Sequence, residues 1–194
     1  MPRMMSDFTK EELEKFTPFD PKKDDQSKIA DCPGLYAILL HPGSKLPECG
    51  VTYTPCMVTY MGQEYELVYV GISTKSLRKR DYQTHFNRNN AGKSTLRKSI
   101  GSLMGLKKTY RSENEKGKSS PKIKFVDKDE EQLTEWMTDN LLLLFKADLT
   151  PGEKEKDMIA VLNPPLNLKD NLNFQNKPYR NNLTKLRNDR SDLE

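Results

Sequence analysis

Cysteine, histidine and tryptophan are scarce in this chain, with three, two and one among 194 residues. Three cysteines, Cys32, Cys49 and Cys56, are too few and odd in number for a disulfide framework, which points to a reducing cytoplasm. His41, Cys49 and Cys56 match no zinc-finger spacing and lack a fourth ligand, so a structural zinc is not expected. Long apolar runs are also missing. The longest, Gly34 to Leu40 and Leu141 to Phe145, fall far short of the roughly 20 residues a membrane helix needs. Met1 to Asp7 has none of the apolar stretch of a secretory leader. Hydrophobic residues make up only 35% against 31% charged, so the expected core is modest.

Net charge is small, +4, but it is unevenly placed. Between Ile72 and Arg111 there are eleven Lys or Arg and one acid, Asp81, a local +10 that leaves −6 for the remainder. A solvated basic face would account for such a block. So would a polyanion, because each neutralised phosphate releases a condensed counterion.

Punctuation and periodicity divide the chain. Residues 1–30 read as a polar arm: Thr9 and Glu12 have capping-box spacing for a short helix, and Pro18 and Pro21 end it. Gly34 to Leu40 and Glu66 to Ile72 are apolar runs of strand length. The turn-rich segment 41–65 separates them, with a hairpin expected around Val51 to Tyr60. Helices are expected over Ser76 to Asn89 and Ser94 to Met104, each opened by a capping serine. Gly105 to Pro121 reads as a loop, mobile and basic over 107–121. A strand (Lys122 to Val126), a helix (Asp129 to Asp139, with Leu133, Trp136 and Met137 facing a core), a strand (Leu141 to Lys146) and a helix (Pro151 to Leu162) follow. Residues 172–194 form a polar, Asn-rich tail. An α+β domain with a small central antiparallel or mixed sheet flanked by helices is the expected architecture.

Two residues sit oddly in these elements. On a helix from Pro151, Glu155 shares its face with Met158, Ile159 and Leu162, so the carboxylate must reach an edge, pair, or bind a cation. His85 follows the strand tyrosine Tyr69 within a basic, helix-forming stretch. Asn89 to Thr95 looks at first like a phosphate-binding loop. It lacks the first glycine and follows a helix, so nucleotide binding is not expected.

Taken in order, Gly34-Leu35-Tyr36, Tyr69-Val70-Gly71, Arg80 and His85 on the next helix, Glu155, and Asn163-Pro164-Pro165-Leu166-Asn167 resemble the GIY-YIG nuclease domain. Glu155 precedes Asn167 by twelve positions, as in that family. The resemblance covers residues 33–171 and departs from the pattern twice. Tyr36 and Tyr69 lie 33 apart, so segment 41–65 reads as an insertion, as restriction-type members carry. Arg80 and His85 are five residues apart where four is usual, which on an α-helix leaves them about 140° apart. Arg78, Tyr82 and His85 share a face instead, so either the helix starts irregularly near Arg80, or Arg78 supplies the guanidinium, or Tyr82 shares the role of His85.

What the resemblance implies is phosphodiester hydrolysis with one Mg²⁺ or Mn²⁺ ion. Glu155 would be the metal ligand. Tyr36, Tyr69, Arg80, His85 and Asn167 would be the catalytic set, with Arg80 on the phosphate, the tyrosines and His85 at the attacking water, and Asn167 in support. A phenol, with its ordinary pKa near 10, needs positive charge or a relay to serve as base. Arg78, Lys93, Arg97 and Lys98 would bind the nucleic acid, expected to be double-stranded DNA, by a protein able to form a homodimer. A restriction or defence role is preferred; an RNA or branched-DNA nuclease, or a non-catalytic binding module on the same fold, are the rivals.

Overall fold

The computed structural model describes residues 8–86 and 91–193. Its centre is a five-stranded antiparallel sheet of order β1-β7-β2-β4-β3: β1 (Thr17–Phe19), β2 (Gly34–Leu40), β3 (Cys56–Tyr60), β4 (Gln63–Ser73) and β7 (Leu141–Ala147). A separate hairpin pairs β5 (Lys108–Tyr110) with β6 (Ile123–Phe125). Four α-helices complete the α+β fold: α1 (Thr95–Leu103), α2 (Asp127–Asn140), α3 (Glu155–Leu162) and α4 (Lys177–Asn188).

The sheet is buried on both faces, which is why β2 and the end of β4 read as continuous apolar runs and not as alternation. All seven residues of β2 are buried. On one face Tyr36, Ile38, Leu143 and Phe145 pack with Leu96, Leu133 and others from α1, α2 and α4. On the opposite face Leu35, Ala37, Leu39 and Leu144 meet Met158, Ile159 and Leu162 of α3, with Leu13 and Phe16 from the arm.

Several elements differ from the sequence expectation, each for a local reason. The arm forms a 3₁₀ segment, Lys10–Lys15, without a capping hydrogen bond to the Thr9 side chain, and then supplies β1 to the sheet edge. Residues 51–55 do not form a hairpin arm; β3 pairs forward with β4 through a turn at Met61 and Gly62, both at positive φ. The expected loop 105–121 contains β5. The helix expected from Pro151 begins as a 3₁₀ turn and becomes α-helical at Glu155. The polar tail contains α4, which buries Tyr179 and Leu183 against α1.

The largest difference lies after β4. The helix expected over 76–89 is a π-helix, Arg78–Phe86, and residues 87–90 lie outside the described residues. Ser76 caps its start as expected, accepting from Lys79 N at 3.1 Å. Because a π-helix repeats its bonding at i+5, Arg80 and His85 fall on one face.

Candidate active site

Two glycines of the strand motifs are dictated by contact. A Cβ on Gly71 would lie 2.4 Å from the Tyr36 Oη, and one on Gly34 2.3 Å from the Lys146 carbonyl oxygen. Tyr36 pairs with Gly71 across β2 and β4, and Ile38 pairs with Tyr69. The two tyrosines therefore share a face, their ring centroids 6.1 Å apart.

Behind them a buried polar chain runs to α1. Tyr36 Oη lies 2.9 Å from His85 Nε2, and His85 Nδ1 lies 2.7 Å from Ser94 Oγ. Tyr36 is 1% exposed and His85 0%. Burial, reinforced by Arg80 and Arg97, holds the imidazole pKa well below its ordinary value, so His85 is neutral. Burial likewise raises the Tyr36 phenol, as do Tyr69 and Asp81, while Arg80 opposes the rise. Ser94 also caps α1, accepting from Arg97 N at 3.0 Å. Its neighbour Thr95 holds the other tyrosine, with Tyr69 Oη 2.9 Å from Thr95 Oγ1. One helix N-terminus thus fixes both His85 and Tyr69.

In front of this chain is an open cleft of about 300 Å³ lined by Tyr69, Arg80, Thr95, Glu155, Asn167 and Arg187, among others. Tyr36 is not among the lining residues, so Tyr69 is the tyrosine that faces the cleft. Arg80 NH1 is steadied by the Lys93 carbonyl at 3.3 Å. Burial works against the Arg80 charge, but the phenols of Tyr36 and Tyr69 and the carboxylate of Asp81 raise its pKa, so it stays protonated.

Glu155 is half-buried in the cleft wall. Burial first and Asp170 second raise its carboxyl pKa, against the opposing pull of Lys169, Arg80 and Lys156. Asn167 acts as a substitute strand where β4 extends beyond β3. Val70 N donates to its Oδ1 at 2.9 Å, its Nδ2 donates to Val70 O at 2.8 Å, and Leu166 N donates to Val68 O at 3.1 Å. That clasp fixes the strand on which Tyr69 sits.

Four residues expected to bind nucleic acid part company. Lys93 is exposed, and Lys98 is half-buried on α1. Arg97 is a correction: it is 0% exposed, bound to Glu130 through Nε and NH2 at 3.2 and 2.6 Å, and donates NH1 to the His85 carbonyl at 2.9 Å. No phosphate can reach it. Arg78 donates to the carbonyls of Ile29 and Ser27 and ties the arm to the π-helix. The cleft guanidinium of the π-helix is Arg80, and Tyr82 packs edge-on against Phe19, away from His85.

The sequence profile of the GIY-YIG catalytic domain matches residues 34–189, most of the chain. The chain belongs to the GIY-YIG family. No curated protein and no solved structure gives a match. The match takes in α4, beyond the Asn167 turn where the motif resemblance ended, so this GIY-YIG domain includes the helix that brings Arg187 to the cleft. Sequence reasoning missed Ser94 and Thr95 as partners of His85 and Tyr69, although the serine cap placed Ser94 correctly. It missed Lys169, Asp170 and Arg187 because none carries a motif. Among the described residues no helix is long and apolar enough to cross a membrane.

Proposed function

We propose that this GIY-YIG protein is a divalent-metal-dependent endonuclease that hydrolyses phosphodiester bonds in DNA, in a restriction or defence setting. The observation that carries the reading is the convergence of Tyr69, Arg80, Glu155 and Asn167 on one cleft, with the Tyr36–His85 pair directly behind it. Arg80, from the basic run between Ile72 and Arg111, and Arg187 line the cleft and support a polyanionic substrate.

The donors fit Mg²⁺ or Mn²⁺. Glu155 and Asp170 offer carboxylate oxygens in the cleft, the hard donors such cations prefer. Hard cations of this kind take one or two carboxylates and leave the other positions to water and substrate phosphate. When bound, the ion would neutralise charge on the phosphate and the leaving oxygen.

The protein groups divide the remaining work. Arg80 holds a non-bridging phosphate oxygen and stabilises negative charge as it develops there. Tyr69, steadied by Thr95, meets the attacking water. His85, neutral and locked between Ser94 and Tyr36, orients the inner phenol, and Arg80 beside both phenols lowers the cost of drawing a proton away. Asn167 holds the β4 backbone that aims Tyr69.

Glu155→Gln is nearly isosteric and removes the anionic oxygen. Cleavage of plasmid by this variant in Mg²⁺ is expected to fall at least about a thousandfold, with duplex binding in EDTA and thermal stability close to those of the parent. Equal cleavage by variant and parent would overturn the assignment. Because the Glu155 carboxyl is raised and must ionise to bind the cation, the Mg²⁺ concentration giving half-maximal cleavage should fall as pH is raised from about 5 to 8.

A further inference from the structure

Arg187 enters the cleft from α4, outside the set of residues that the tyrosine, arginine and carboxylate motifs account for. It is half-buried, and burial lowers its pKa. Lys98 of α1 lies close enough that its own ammonium, already disfavoured by burial, is further depressed by the Arg187 charge. Neither makes an ion pair among the described residues, and the cleft carboxylates Glu155 and Asp170 pair with neither. A half-buried guanidinium in a cleft wall with no anion beside it is a costly arrangement, and a bound anion relieves it.

The last turn of α4 is also held rigidly in place. Lys108 Nζ donates to the carbonyls of Leu186 at 2.7 Å and Asp189 at 2.9 Å, one on each side of Arg187 along the chain. A cation on the free carbonyls of a helix C-terminus is a favourable cap. Farther up the helix, Asn182 Nδ2 donates to the Cys49 carbonyl at 3.1 Å, and the Asn176 side chain pairs with both the N–H and the carbonyl of Thr54. The guanidinium is therefore presented from a backbone anchored on both sides, as phosphate recognition by a planar fork requires.

We propose that Arg187 binds a backbone phosphate of the nucleic-acid substrate distinct from the phosphate held at Arg80, with Lys98 on the neighbouring α1 adding positive charge to the approach. The assignment rests on the nuclease reading and adds to it a second phosphate position, built by α1 and α4. It sets how the strand lies across the cleft, because two fixed phosphates define a direction where one does not.

The test is the binding of a fluorescent DNA duplex in EDTA by the parent, Arg187→Gln, Arg187→Lys and Lys98→Gln across a salt series, followed by steady-state cleavage in Mg²⁺. Arg187→Gln is expected to weaken binding about tenfold and to lower the slope of log affinity against log salt by about one. The cleavage defect should lie more in KM than in kcat. Arg187→Lys should fall between parent and Gln, and Lys98→Gln should lower the slope with a smaller loss of affinity. Parent-like affinity and slope in both Gln variants would overturn this proposal while leaving the nuclease reading intact. A parent that neither binds nor cuts nucleic acid overturns both.

Discussion

Asp81 has no visible task of the usual kind. It is 0% exposed, and neither carboxylate oxygen has a hydrogen-bond partner. Burial raises its pKa well above the ordinary value, and only Arg80 opposes the rise. The unfolded chain would ionise it near pH 3.9, so the native state binds the proton more tightly. Stability from this residue is therefore full below about pH 4 and is lost as pH rises toward the native value. Asp81→Asn should be more stable than the parent at neutral pH, by on the order of 1 kcal/mol, with the difference shrinking below about pH 4. Denaturation curves at several pH values check this, and a pH-independent difference would refute it. No sequence pattern marks Asp81 as special, since one acid in a basic run reads as surface charge. Arg97 is the converse: sequence placed it among exposed cations, whereas Glu130, 33 positions later, draws it inside. Partnerships at that separation leave no local signature.

At the level of elements, strands were easier to read than helices. β2 and the end of β4 show themselves by apolar runs, and the serine caps locate the two helices within the basic block. The helical repeat after β4 was beyond reach, because α and π hydrogen bonding differ by one residue per turn and the composition suits both. The five-residue spacing of Arg80 and His85 was the visible trace. If a shared face is what the site needs, deleting the exposed Gln83 to allow an α-helix should retain cleavage within about tenfold, since the usual spacing of four also aligns on an α-helix. Inserting an alanine at the same point should abolish it. Circular dichroism with a plasmid assay distinguishes loss of alignment from loss of fold, and an active insertion variant would defeat the argument.

The whole molecule is closed by its outlying segments. β1 pairs with β7 in register from Thr17–Phe145 to Phe19–Leu143, and Leu13, Phe16 and Phe19 are buried. The arm reads as polar because prolines and charges dominate it. Leu13, Phe16 and Phe19 each stand singly among polar residues and Pro18, so they form no apolar run. Removing residues 1–19 would expose the β7 edge and forfeit about 2 kcal/mol for each buried side chain. The expected result is a protein that aggregates or melts far below the parent; an unchanged melting temperature would place the arm outside the domain. α4 was hidden for a similar reason. Among its 12 residues only three apolar ones, Tyr179, Leu183 and Leu186, pack inward, beside the buried Arg180 and against a polar majority.

The antiparallel order has a consequence for the chain while it is being made. Tyr36, Tyr69, Arg80 and His85 emerge from the ribosome first, but β2 gains its β7 partner only after Leu141, and the wall bearing Glu155, Asn167 and Arg187 comes later still. A nascent chain of about 150 residues, still attached to its message, holds the phenols and the imidazole but neither the carboxylate nor the clasp on Val70. On the proposed reading such a chain cannot yet cut nucleic acid. On that reading, synthesis order keeps the activity off until the cleft wall that follows the sheet has been made.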